Sequence, residues 1–182
     1  MNARIAGSVL VGVAVASFGF TAPAGAAPPG QWSTKVCTGV RDWAEALARI
    51  SDDHAPPDEA TPRVIKASLV DFLGEMVDAT DTLLDDLESA GTPDVDQGKA
   101  IARAFRRGIG RAREIFADAQ DDAEDLPTGN RARFQTRGRA IQRAIDQGGT
   151  EVQGVFTAAQ SRYSSPELDR AFSRARACQA LG

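Results

Sequence analysis

The chain has 182 residues, 25 acidic and 21 basic side chains, a formal net charge of -4 and a single histidine. That mildly acidic balance gives no global attraction to nucleic acid, and one histidine with two cysteines is too few ligands for a zinc site. The length allows one domain with a real core.

The N-terminus has three parts: Arg4, an uncharged and largely apolar run from Ile5 to Phe20, and the small-residue stretch Ala24-Gly25-Ala26. This is the pattern of a secretory signal peptide with cleavage before Ala27. An apolar run of about 16 residues is short of the ~20 that span a bilayer. The expectation is therefore a leader over residues 1–26 and a single helical domain over residues 27–182, with no membrane-spanning segment after cleavage. Loss of Arg4 would bring the net charge to -5.

Beyond a Pro/Gly-rich lead from Ala27 to Gly30, apolar residues recur at helical spacing. Val36, Val40, Trp43, Leu47 and Ile50 make the stripe of a first helix, which Pro56-Pro57 must end. Thr61-Pro62 supplies a capping hydroxyl and a proline for a second start. Ile65, Leu69, Phe72, Met76, Leu83 and Leu87 carry its stripe to a stop at Gly91. Thr92-Pro93 repeats the start signal for a third helix, faced by Ile101, Phe105, Ile109, Ala112, Ile115 and Phe116. After Leu126-Pro127-Thr128-Gly129, a fourth helix bears Phe134, Ile141, Ile145, Val152 and Phe156, with a bend expected at Gly148-Gly149. Ser165-Pro166 opens a fifth, with Leu168, Phe172, Ala175 and Cys178 on one face.

The expected fold is thus all-α: an up-and-down bundle of three long helices, with shorter first and last helices joined by a disulfide. In an exported chain an isolated cysteine pair is most often bridged, which assigns Cys37–Cys178. At 1.5 Å per residue the two cysteines fall at nearly equal heights in a bundle of about 45 Å, provided the first and last helices are neighbours. The loop so closed is long, and chain entropy sets an upper stabilisation of about 5 kcal/mol.

Charge alternates along the chain. The second helix is acidic, the third is basic and then acidic, and the fourth opens basic. Antiparallel folding at each turn puts opposite signs side by side, and this complementarity is the preferred reading. The sharper reading takes Arg103, Arg107 and Arg111 as a cationic ridge, joined by Arg137, for a polyanion or lipid headgroup, since a guanidinium donates bidentately to phosphate or carboxylate.

Asp52, Asp53, His54, Asp58 and Glu59 gather in one loop, but without calcium-loop spacing they read as a solvated turn, with His54 exposed. No nucleophile has a histidine base beside it, and no motif implies a cofactor or a metal. Trp32, Trp43 and Tyr163 are candidate ligand-lining aromatics; Trp43 lies on the first stripe, and Trp32 precedes that helix and would cover the bundle end. Glycines inside the third and fourth helices either admit close helix approach or leave a groove.

The leader, the segment Cys-Thr-Gly-Val-Arg-Asp-Trp-Ala-Glu-Ala-Leu from Cys37 to Leu47, the Ala90–Val95 turn and the late Cys178 resemble small exported helical proteins of actinobacteria. The resemblance implies address and fold, and no activity. The functional expectation is a non-enzymatic binding or structural module of the envelope or medium, with a protein, an envelope glycan or a lipid as partner. Two alternatives stand beside it: the polyanion or headgroup binder, and an enzyme using an Arg/Glu pocket between helices.

Overall fold

A computed structural model describes residues 26–54 and 59–180, without the side chains of Val152, Val155, Phe156, Ala159 and Gln160. Residues 1–25 of the expected leader, the Pro56-Pro57 break with Asp58, and the Val152 and Phe156 side chains of the fourth stripe lie outside the described residues. The rest is helical: α1 (Pro29–Asp53), α2 (Pro62–Ala90), α3 (Gly98–Glu124), α4 (Arg131–Arg162), α5 (Pro166–Arg174) and α6 (Arg176–Gln179).

The first helix is longer than its stripe suggests. It begins at Pro29, so α1 has 25 residues against 27 in α3, and the long helices number four among the described residues. Proline suits that first turn because its missing N–H is one that the helix would leave unbonded. Trp32 therefore sits inside the helix rather than ahead of it.

Contacts between α1 and α2 run in opposite directions. The Trp32 indole N–H donates to the Gly91 carbonyl at 3.1 Å, the Trp43 indole donates to Thr80 Oγ1 at 3.1 Å, and the His54 ring meets Phe72 and Glu75. Lys66 meeting the Glu124 carbonyl while Arg113 meets Asp81 gives the same antiparallel sense to α2 with α3, and Arg137 meeting the Asp125 carbonyl while Arg111 meets Glu151 gives it to α3 with α4. Thr80 is fully buried, yet its hydroxyl accepts from Trp43 and donates to the Met76 carbonyl at 2.7 Å, so neither polar group is stranded.

Three apolar clusters fill the interior. Trp32, Val36, Leu83, Leu87, Ile101, Ile109 and Leu168 pack at the end where α1 and α3 begin. Leu73, Ala119, Ala123, Leu126, Phe134 and Ile141 pack at the opposite end, and Val77, Ala112 and Phe116 lie between.

Two of the three hydroxyl–proline starts hold. Thr61 accepts from Val64 N–H at 3.4 Å and Ser165 from Leu168 N–H at 3.3 Å. The start expected at Thr92-Pro93 fails, and α3 begins five residues later, behind Gln97 in the left-handed region (φ 60). Tertiary pairing is the reason. Ala27 N–H donates to the Thr92 carbonyl at 2.6 Å, Asp94 N–H donates to the Ala27 carbonyl at 2.8 Å, and Pro93 is fully buried between them.

α4 runs through Gly148-Gly149 as one continuous helix. Gly148 is buried against α3: a Cβ there would stand 2.7 Å from Ile115 Cγ2, closer than real contacts allow. Of the two readings offered for helical glycines, close approach applies here.

The last helix differs from its expected form. Ala175 turns extended (ψ 118), ending α5 at Arg174, so Cys178 sits on the four-residue α6 and not on the fifth helix. The Cys37–Cys178 disulfide is present, with Cα atoms 5.0 Å apart and a sequence separation of 141. Trp32 meets Phe172 and Cys37 meets Cys178, so α1 and the α5–α6 segment advance in the same direction, as the bridge requires.

Candidate functional site

The four arginines of the proposed ridge divide into two pairs. Arg111 is engaged twice: by Glu114 on its own helix at 3.1 Å and by Glu151 of α4 at 3.0 Å. The hydrogen bond to Glu114, then the bond and the charge of Glu151, raise its pKa above the ordinary arginine value. Arg137 donates to the Asp125 carbonyl at 3.4 Å. Arg103 and Arg107 are exposed and form no ion pair among the described residues. The ridge is thus a bonded half at Arg111 and an open half nearer the start of α3.

Charge complementarity is visible where the pairs can be read. Arg113 bonds Asp81 of α2 at 2.6 Å, and that hydrogen bond, before the charge itself, raises the guanidinium pKa. Three cations act on carbonyls as well. Neither α2 nor α3 has a basic residue in its last turn, and both end in carboxylates, against the helix dipole. Neighbouring elements supply what is missing: Lys35 of α1 donates to the Ser89 carbonyl at 3.2 Å, Lys66 of α2 to the Glu124 carbonyl, and Arg137 of α4 to the Asp125 carbonyl.

His54 corrects its expected place. It caps the end of α1, half-buried, with its ring edge-on to Phe72 at 6.2 Å and Nε2 3.1 Å from Glu75 Oε1, so it is a packing residue and not an exposed loop residue. Among the described residues no group of three or more His, Cys, Asp or Glu side chains is gathered to hold a metal ion.

Concave surface borders α5, and a further groove of about 560 Å³ lies between α2 and the end of α3, lined by Lys66, Val70 and Glu124. A cavity of about 330 Å³ opens between the start of α3, the α4–α5 link and α5, lined by Ile101, Phe105, Tyr163, Leu168 and Phe172 with Ser164 and Asp169. Beside it, sharing Ser164, a polar groove of about 600 Å³ carries Asp94, Asp96, Glu167 and Arg170. Trp32 stands behind the apolar wall, edge-on to Phe105 at 5.4 Å and to Phe172 at 5.9 Å, and those two rings are near-parallel at 6.3 Å. Of the candidate aromatics, Tyr163 does line a cavity, whereas Trp43 is a half-buried packing residue bonded to Thr80, and Trp32, 1% exposed, is the centre of the core.

Phe105 and Phe172 are not recognisable as a site in the sequence. Each is an ordinary member of a helical stripe, and only the docking of α5 beside α3 brings them together. Asn130, whose side chain accepts from Arg133 N–H at 3.0 Å to start α4, was legible in principle as a capping residue after the Pro127 turn.

Comparison of the chain with protein-family models, with curated proteins and with solved structures gives no match. The functional reading therefore rests on this chain's own residues.

Proposed function

We propose that the chain is an exported, non-enzymatic helical bundle: a single up-and-down domain from Ala27 onward that serves as a binding or structural module of the cell envelope or the extracellular space. The observation that carries the reading is the Cys37–Cys178 disulfide. Such a bridge forms and persists in oxidising compartments, whereas cytosolic thiol pools keep most cysteine pairs reduced. The N-terminal pattern of Arg4, apolar run and small residues supports the same address. So does the setting of Ala27. Cleavage before it would leave an ammonium group, itself a hydrogen-bond donor, in place of the amide that now donates to the Thr92 carbonyl. Among the described residues no helix is long and apolar enough to cross a membrane.

Intact-mass measurement of protein recovered from its native culture, with and without reductant, tests the reading. Loss of residues 1–26 and two hydrogens fewer than the dithiol form are expected. A full-length mass or two free thiols would end it.

A second reading has its own observation. Arg103 and Arg107 are exposed and without an ion pair among the described residues, which suits a polyanionic glycan or lipid headgroup. Vesicles of anionic lipid at low salt should bind the protein and lose binding in Arg103→Gln/Arg107→Gln. No binding at low salt would dismiss it.

A further inference from the structure

We infer that the aromatic cavity beside α5 is a binding site for a small organic ammonium ion, a quaternary or primary amine of about choline size. Four observations converge. The walls are aromatic: Phe105 and Phe172, with Tyr163, one face of which the Arg162 guanidinium covers, and Ile101 and Leu168 completing the apolar surface. The faces of such rings carry negative charge in their quadrupole and attract alkylammonium groups. The walls are also held in place, because the buried Trp32 indole braces Phe105 and Phe172 edge-on and is itself anchored by its bond to Gly91.

The charge at the opening selects the sign. Asp169 lines the cavity, and the adjoining groove contributes Asp94, Asp96 and Glu167. The opposing cations are fewer. Arg170 spends its Nε–H on the Pro166 carbonyl at 2.9 Å, and Arg162 lies over the Tyr163 ring with its guanidinium carbon 5.8 Å from the centroid. The first turn of α5 holds Glu167 and Asp169, which offset the partial positive charge of that helix start. A carboxylate or phosphate ligand would meet Asp169 in the cavity and three further carboxylates against Arg170 in the adjoining groove, so the acidic rim disfavours the ligands that Arg103 and Arg107 favour. Size agrees with the assignment: about 330 Å³ is at the small end of ligand pockets. A compact head with a short apolar body fits it, and a long acyl chain does not.

The inference rests on the binding-module reading and not on export. A failed titration of protein with the expected cleaved and oxidised mass would remove the ligand and leave the address standing. The experiment is calorimetric titration of the whole disulfide-bonded protein with choline and with 3,3-dimethylbutan-1-ol, its uncharged isostere, repeated by tryptophan fluorescence in a Trp43→Phe background so that Trp32 alone is read. Choline should bind saturably, and the alcohol should bind roughly tenfold more weakly, because it lacks the charge that the rings and Asp169 recognise. Asp169 is exposed, so Asp169→Asn should keep the helical circular dichroism spectrum while weakening choline several-fold and leaving the alcohol unchanged. Equal affinity for choline and the alcohol would overturn the proposal. So would the absence of a saturable response to choline, or an Asp169→Asn variant that binds it unchanged.

Discussion

The two ends of the molecule are held by different means. At one end the starts of α1 and α3 and the Gly91 turn meet α5 around Trp32, and a disulfide clamps the result. At the other, α2, α3 and α4 pack Leu73, Ala119, Ala123, Phe134 and Ile141 with no covalent link, and Lys66 and Arg137 cap the end of α3. The difference follows chain order. The second end joins helices that are consecutive in sequence, so each turn brings partners together at small entropic cost. The first must recruit α5 and α6, nine and four residues long, from the far end of the chain. Helices that short are not stable alone. A covalent tie across 141 residues is the contact that compensates.

Removing that tie should produce the largest effect and should act on one end only. Cys37→Ser/Cys178→Ser is expected to lower the unfolding free energy by about 4 kcal/mol in denaturant titration. Amide exchange at Leu168 and Phe172 should accelerate while Ala119 and Ala123 stay protected; equal loss at both ends would break the comparison. Trp32→Ala should cost nearly as much, about 3 kcal/mol, because it empties the centre of the same end. Trp32→Phe separates packing from the bond to Gly91 and should cost about 1 kcal/mol if the ring still fills the site.

A smaller effect is expected where α4 meets α3. Gly148→Ala forces a methyl against Ile115 and should cost about 2 kcal/mol. In an Ile115→Ala background the same change should cost less, a coupling that a double-mutant cycle reads directly. Smallest of all, Arg113→Gln should leave the thermal midpoint almost unmoved at physiological salt. The pair with Asp81 is solvent-exposed, and exposed ion pairs specify neighbours more than they stabilise.

Much of the architecture was legible because its signals are local. Apolar stripes at spacings of three and four marked the helices, and Gly91 stopped α2 with the positive φ (74) that glycine tolerates. Thr61-Pro62 and Ser165-Pro166 started helices because each hydroxyl reaches an N–H three residues on. The same two residue types at Thr92-Pro93 started nothing, since the Thr92 carbonyl and the buried Pro93 belong to a pairing with Ala27, 65 residues earlier by the numbering. The cysteine pair, too, was readable from its number and position, although the break at Ala175 that moves Cys178 onto α6 was not.

The candidate sites divide in the same way. That Arg103, Arg107 and Arg111 are spaced to share one helix face, with Arg137 cationic on the next helix, follows from the sequence alone. Which of them meet a carboxylate depends on the register of α3 against α4, and Glu151 reaches Arg111 only through that packing. The aromatic cavity depends wholly on tertiary structure, because Phe105 and Phe172 lie 67 positions apart and become one wall only when α5 docks. The sequence by itself determined the helices, their ends and the available cross-link, because capping and periodicity act within a few residues. Their register, the late start of α3 and the cavity were decided by contacts between distant segments, whose energies exceed the propensities of the residues that make them.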